Sequence, residues 1–311
     1  MTSPPLDGLL VVDKPVGPTS HDVVARLRRV LGERRIGHTG TLDPLASGVL
    51  LLVVGRATRL AQFLNTDAKR YDATIRLGFA TDTYDATGRP TTVVHDGGMP
   101  ARDRVEAALH AFRGTFLQQP PAFSAKKIDG RRSYRLARTH QKPAAPVLPA
   151  PVPVTVAHLD VVDVQDDLVR IELACSSGFY VRSLAHDLGV ALGVGAHLAA
   201  LRRTAASGWT LVDAVPLGPI EGPAGADIAR RALIALPDVL PELPPLTLTA
   251  GGVRRAASGC EIGARDLASE TGPAGSGAFP PRVRLLDEAR HLVGIADLRP
   301  SGLLHPVVVL M

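Results

Sequence analysis

The order of apolar and polar positions divides the chain into short strands and a few helices. Leu9 to Asp13 is an apolar run that predicts a strand, stopped at Lys14-Pro15 because proline lacks the N–H that a central ladder needs. Val23, Val24, Leu27, Val30 and Leu31 then share one helical face, with Ser20 placed to cap that helix and Gly32 to end it. Val49 to Val54 predicts a buried strand, and Leu60, Phe63 and Leu64 predict a short amphipathic helix after it. In YDATIRLG, Tyr71, Ala73, Ile75 and Leu77 alternate with more polar neighbours, the period of a strand with one buried face. Helical spacing returns at Val105, Ala108, Leu109 and Phe112, and Gly114 ends that helix.

Further on, the Pro/Ala-rich stretch from Lys142 to Pro153 reads as an extended loop, followed by a hairpin from Val154 to Val164 and Leu168 to Cys175. A helix from about Val181 to Leu192 carries Leu184, Leu188 and Leu192 at four-residue spacing. Residues 236–249, LPDVLPELPPLTLT, hold prolines at a density no packed helix tolerates, and mark a boundary. Beyond it, VRLLD and HLVGIADL flank a Gly/Pro/Ser loop, the pattern of a small barrel-like module. Two domains are expected, residues 1–240 and 241–311, with no internal repeat.

Charge sharpens this picture only where it clusters. The 311 residues carry 35 Lys plus Arg against 30 Asp plus Glu, a net charge of +5 and a pI of about 9.5, which favours an anionic partner without specifying one. SAKKIDGRRSYRLAR is more specific: Lys126, Lys127, Arg131, Arg132, Arg135 and Arg138 surround a glycine turn with Tyr134 among them, a pattern suited to phosphates, with a solvated helix as the alternative. Arg26, Arg28, Arg29, Arg34 and Arg35 divide evenly between the same two readings. Cys175 and Cys260 are too few and too far apart for a disulfide framework or a cysteine-rich zinc site, so a reducing cytoplasm is expected. Neither a membrane span of about 20 apolar residues nor a secretory leader is read in the chain.

The candidate chemistry lies in GHTGTLDPLASG, Gly37 to Gly48, where glycines bracket a single acid directly before a proline. Asp43 is a good N-cap and Pro44 suits a first helical position, so a turn of helix is expected to begin here with Asp43 at its mouth; Asp43 either merely caps that turn or serves as a catalytic carboxylate. The glycine spacing fits neither a Walker loop nor a dinucleotide fingerprint. His38 has no companion His or Glu at metal-ligand spacing, so no metal site is expected.

The run GHTGTLDPLASGVLLLVVGRATR resembles the central motif of the bacterial tRNA pseudouridine-55 synthases, the TruB family. LLVVDKPVGPTSHDVV resembles the family's opening Lys-Pro motif, and KRYDATIRLGFATDTYDATG the strand and loop after its catalytic segment. CSSGFYVRSLAHDLG and GAHLAALRRTAASG resemble its later active-site motifs, so the likeness covers about residues 8 to 215. The last 65 or so residues resemble, more weakly, the family's small RNA-binding PUA module.

That resemblance implies an α+β fold: a mixed, mainly antiparallel curved sheet with flanking helices, plus a small C-terminal β-barrel-like PUA module. It implies isomerisation of uridine 55 in the T loop of tRNA, with the base flipped out and no cofactor. The resemblance makes Asp43 the catalytic aspartate, Arg182 its positive partner and Tyr71 the active-site aromatic that stacks on the uracil. Tyr180 and Leu201 match positions lining the uracil pocket, His38 a residue filling the space left by the flipped nucleotide, and Lys14 with Pro15 a brace of the pocket wall. Lys126, Lys127, Arg131, Arg132, Arg202 and Arg203 are expected on the RNA backbone. The protein is expected to act on the T arm as a cytoplasmic monomer, without a membrane or an obligatory protein partner. Two rivals remain at this stage, a non-catalytic tRNA binder and a nucleotidyltransferase reading of GHTGT, the latter weakened by the missing second histidine.

Overall fold

Strands β1 (Gly8–Lys14) and β3 (Ala46–Val54) are nearly continuous apolar runs because both of their faces are covered. Leu10, Val12, Leu50, Leu52 and Val54 enter one core, while Leu9, Val11, Val49, Leu51 and Val53 enter a second on the opposite face. By contrast β4 (Lys69–Leu77) buries Tyr71, Ala73, Ile75 and Leu77 and exposes Arg70, Asp72 and Arg76 between them, as its alternation predicts. The computed structural model describes residues 6–64, 68–123, 127–128, 131–132, 148–268 and 279–311.

These strands belong to a sheet of 11, ordered β12-β1-β3-β10-β4-β9-β8-β5. The other members of this path are β5 (Gly114–Gln118), β8 (Val152–Gln165), β9 (Leu168–Cys175), β10 (Ala196–Ala206) and β12 (Val215–Pro216). Strands β2 (Ile36–Thr39), β11 (Trp209–Thr210) and β13 (Ile234–Ala235) attach to β3, β10 and β1. Within the path only β1 with β12 and β3 with β10 run parallel. Register shifts in β10 between Leu198 and Ala200, and between Arg203 and Ala205, bend the sheet where its two halves meet. On one face α1 (Ser20–Leu31), α2 (Arg102–Leu109) and α3 (Val181–Leu192) complete the larger core. The helices α4 (Leu217–Glu221) and α5 (Gly225–Arg231) pack beside α1.

Several local expectations shift in informative ways. The cap of α1 is Thr19, not Ser20: Thr19 and Asp22 close a reciprocal capping box, which leaves Ser20, the first helical residue, free for another task. The amphipathic segment after β3 is a 3-10 turn, Gly55–Leu60, rather than an α-helix. Gly114 opens β5 after a 3-10 extension of α2 over His110–Phe112, so the predicted helix end becomes a strand start. The predicted hairpin forms as β8 and β9. Of the extended loop predicted before it, residues 142–147 lie outside the described residues, and β8 starts at Val152.

The C-terminal segment forms a four-stranded sheet, β14 (Pro245–Thr247), β15 (Arg282–Leu286), β16 (Leu292–Leu298) and β17 (Leu304–Val309), with α6 (Ala250–Ala257) against it. The short pair β6 (Lys127–Ile128) and β7 (Arg131–Arg132) stands apart. The C-terminal sheet has a core of its own around Leu248, Val283 and Leu304. It also gives Leu286, Leu292, Ile295, Val308 and Leu310 to the second face of β1 and β3. Arg56 and Arg59 donate to the Leu310 and Val309 carbonyls, and Arg282 lies 4.9 Å over the Phe63 ring, so charge and packing both hold this segment to the larger sheet.

Candidate active site

The loop bearing Asp43 is pinned on both sides. Ser20 Oγ donates to the Leu42 carbonyl at 3.1 Å and accepts from the Leu42 N–H at 2.9 Å, while Gly17 N–H donates to the Pro44 carbonyl at 2.8 Å. The connection from β1 to α1 and the first residue of α1 therefore fix the Asp-Pro step from outside. The step itself is not the start of a helix. Asp43 O accepts from Ala46 N–H at 3.0 Å in a reverse turn that runs directly into β3, and Pro44 presets its second position. The Asp43 side chain is thus not engaged in capping and faces Arg182.

Arg182 stands in the first turn of α3 with its side chain 6% exposed, against 42% for that of Asp43. Its Nη1 donates to the Thr83 carbonyl at 3.0 Å and its Nη2 to the Phe123 carbonyl at 2.9 Å. Nε lies 2.9 Å from Asp43 Oδ2, an ion pair met off the N–H axis. The guanidinium fork therefore grips two main-chain carbonyls, and its remaining edge presents positive charge to Asp43. A second carboxylate, Asp85, is 3.8 Å from the same Nε and nearly buried. Its Oδ1 accepts from Thr83 Oγ1, Thr87 Oγ1 and the Thr87 N–H, so it is oriented before it meets Arg182.

Below this pair lies a buried basic layer. Lys14, at the end of β1, is fully buried, and its Nζ donates to the Pro15 and Pro18 carbonyls at 2.8 and 2.9 Å. Burial pushes its ammonium down to about 8, a fall that the nearby Asp43 opposes and Arg203 adds to. Arg203 was expected on the RNA backbone, but it is 0% exposed and donates to the Val49 carbonyl at 2.7 Å and the Gly40 carbonyl at 2.9 Å. A guanidinium so placed reaches no phosphate. It sits where β10 crosses β3 so closely that a Cβ on Gly48, at φ 101°, would meet the Arg203 carbonyl oxygen at 2.2 Å. Directly opposite Arg203 on β4 is Tyr71, 7% exposed, whose hydroxyl is held above its ordinary range by burial, with Arg203 opposing that shift.

The other expected residues border this centre less tightly. His38 on β2 meets His21 edge-on at 5.1 Å between ring centroids, and burial, with the charges of His21 and Arg203, pushes it down to about 4. Tyr180 precedes α3; its N–H and carbonyl are both held by the Gln118 side-chain amide at 2.8 and 3.0 Å. Leu201 lies opposite Ala46 and Ala73 and packs against the larger core. Arg202, also expected on RNA, forms a two-point pair with Asp13 at 2.8 and 3.2 Å. Beside it is a cleft of about 230 Å³ lined by Leu45, Leu201, Arg202, Asp72, Arg170 and Glu172 among others, and Asp43, Tyr71 and Arg182 take no part in it.

Of the basic run, Lys126, Tyr134, Arg135 and Arg138 lie outside the described residues, as do the side chains of Lys127, Arg131 and Arg132. Among the described residues no group of His, Cys, Asp and Glu is placed to hold a metal ion, and no helix is long and apolar enough to cross a membrane.

Sequence reasoning missed Asp85, Gln118 and the pinning role of Ser20. Only Asp85 carried a local signal, the Thr-x-Asp-x-Thr spacing of Thr83, Asp85 and Thr87 that favours an Asx-type turn.

Comparison with known proteins bears on the chain as a whole. Residues 28–181 match the TruB family pseudouridylate synthase N-terminal domain, and residues 182–222 match the tRNA pseudouridylate synthase B C-terminal domain. A tRNA pseudouridine synthase B of Solibacter usitatus is 41% identical over 308 residues, covering 98% of this chain and 100% of that protein. One of Gloeobacter violaceus is 49% identical over 221 residues, 70% of this chain and 73% of that protein. In fold, a chain of the crystal structure of a Cbf5-Nop10-Gar1 complex matches with a TM-score of 0.71 at 24% identity, covering 98% of this chain and 85% of that one. With this near-full-length identity and both family domains matched, the chain belongs to the TruB family of pseudouridylate synthases and is an isomerase of pseudouridine-synthase fold.

Proposed function

We propose that the protein converts uridine 55 in the T loop of tRNA to pseudouridine, acting alone as a cytoplasmic monomer. The observation that carries this reading is the pair in which a buried Arg182 holds a half-exposed Asp43: the guanidinium orients the carboxylate, yet one side stays open to an incoming nucleotide. The reaction breaks the uracil N1–C1′ bond, turns the base and rejoins it through C5, with the C5 proton lost and a proton taken up at N1. Atoms balance within the nucleotide, so no redox partner or group donor is required. A carboxylate in the position of Asp43 is suited to attack C1′, or to remove a ribose proton that starts the same cleavage.

The target uridine hides C1′ and C5 while stacked, so the reading includes flipping it out of the loop at a cost of a few kcal/mol. Tyr71 is the proposed floor for the extruded base, with Tyr180 and Leu201 as walls and His38 as support for the vacated stack. The same reading assigns residues 1–240 to catalysis and 241–311 to a PUA-like RNA-binding module, which the separate core around Leu248, Val283 and Leu304 supports. The names of the relatives, tRNA pseudouridine synthase B, support tRNA as the substrate.

The test is incubation of the purified protein with an unmodified tRNA transcript, without nucleotide or added metal, followed by mapping of pseudouridine. Product confined to position 55 is expected. Product elsewhere, or none, overturns the assignment.

A further inference from the structure

The segment that holds Asp85 against Arg182 is joined to α3 by a contact that the chemistry described so far does not use. Tyr84 and His186 stack face to face, with ring centroids 3.9 Å apart and planes inclined by 11°. His186 lies four residues after Arg182 on α3, so the two side chains share one helical face. Tyr84 lies between Thr83, whose carbonyl takes Arg182 Nη1, and Asp85, whose carboxylate faces Arg182 Nε. One stack therefore spans the two elements whose separation sets the geometry of the ion-pair network.

The backbone supports a specific role for this ring. Tyr84 adopts φ 63°, the left-handed region that side chains other than Gly, Asn and Asp seldom enter. The conformation is held by Tyr84 N–H to the Thr81 carbonyl at 3.2 Å and by the Leu198 N–H to the Tyr84 carbonyl at 3.0 Å. Ala86 N–H returns to the Leu198 carbonyl at 2.9 Å, so the loop is tied to β10 on either side of Asp85. On the other partner, His186 Nδ1 is buried and meets no hydrogen-bond partner among the described residues, and burial holds the imidazole below its ordinary pKa. The stack on Tyr84, rather than a hydrogen bond from Nδ1 to a described residue, is thus a contact that orients this ring.

We infer that Tyr84 and His186 form a clamp that fixes the loop carrying Thr83 and Asp85 against α3 and so positions Arg182 behind Asp43. They are positioning residues: neither is assigned a contact with the reacting atoms. The inference rests on the pseudouridylation reading.

The test is steady-state turnover of an unmodified tRNA transcript by full-length His186→Ala, His186→Phe, Tyr84→Asn and Tyr84→Phe, with wild type measured alongside. Asn tolerates the left-handed conformation, so Tyr84→Asn removes the ring without adding backbone strain, and it keeps the test alive if His186→Ala fails to fold. His186→Ala and Tyr84→Asn should lower kcat about tenfold, the rate equivalent of losing one aromatic stack, with KM within about twofold of wild type. Tyr84→Phe and His186→Phe, which keep stacked rings, should restore kcat. Unchanged kcat in the ring-deleted variants would overturn the clamp, as would a raised KM at constant kcat, which would make the ring pair an RNA contact. Failure of His186→Phe to restore the rate would overturn it too, since the imidazole would then act otherwise than by stacking. An inactive wild type would overturn the pseudouridylation reading instead, so the two failures are distinguishable.

Discussion

Replacing Arg182 by lysine keeps the charge and removes the geometry. The guanidinium makes three contacts within 3.0 Å: Thr83 O at 3.0 Å, Phe123 O at 2.9 Å and Asp43 Oδ2 at 2.9 Å. A lysine ammonium ends near the position of the guanidinium carbon, short of both Nη atoms, and cannot serve two carbonyls and a carboxylate that lie in different directions. At least one charge-assisted hydrogen bond is lost, worth about 1.5–3 kcal/mol, and the side chain is too buried for water to replace it freely. At about 2–4 °C per kcal/mol, the thermal midpoint should fall by about 3–12 °C. The catalytic loss should be larger. An ammonium that satisfies the carbonyls retreats from Asp43, and one that follows Asp43 abandons them; a misplacement of about 1 Å in such a site costs on the order of 10²-fold in rate. The assay is single-turnover pseudouridine formation on saturating transcript, with binding by filter retention and unfolding by calorimetry on the same samples. A Lys variant that turns over at near the wild-type rate with an unchanged midpoint would refute the reasoning.

Asp85→Asn should reduce turnover by at least tenfold with tRNA affinity nearly unchanged, because the second carboxylate opposite Arg182 is lost; a normal kcat would make Asp85 a loop residue only. Tyr71→Ala should abolish turnover even at saturating tRNA, whereas Tyr71→Phe keeps the ring proposed to lie beneath the base; equal activity of the two variants would remove stacking from the account. His38 is neutral in the fold down to about pH 4 and ordinarily titrates near 6.5, so the unfolded chain binds more protons between those values. Stability that His38 contributes is present above pH 6.5 and lost as pH falls towards 4, and His38→Gln should flatten that part of a urea-midpoint profile. Turnover should be unchanged by EDTA, and loss restored by zinc would contradict the cofactor-free reading.

How far the sequence reached depended on whether each signal was local. The two-faced burial of β1 and β3 is written in their continuous apolar runs, and the one-faced burial of β4 in its alternation. Asp43 stands out as an acid between glycines, but Asp-Pro satisfies both a helix start and a reverse turn, and β3, beginning at Ala46, makes it the turn rather than the expected helix. Thr19 and Ser20 are equally able caps, and only the distant Leu42 shows why Ser20 is otherwise engaged. Arg202 and Arg203 look alike in sequence. The register of β10 against β3 and β4 sends one to Asp13 and buries the other above Gly40, a nonlocal outcome that no window of residues contains.

The central claim is that Asp43 is the group that reacts. It is tested most directly by single-turnover pseudouridine formation at position 55 with Asp43→Asn bound to an unmodified transcript at saturation. The account predicts no product over times in which wild type completes the reaction, with the complex still formed, because the proposed binding draws on phosphate contacts spread over the tRNA rather than on this one carboxylate. Product formed by the Asn variant at a rate within tenfold of wild type would contradict it.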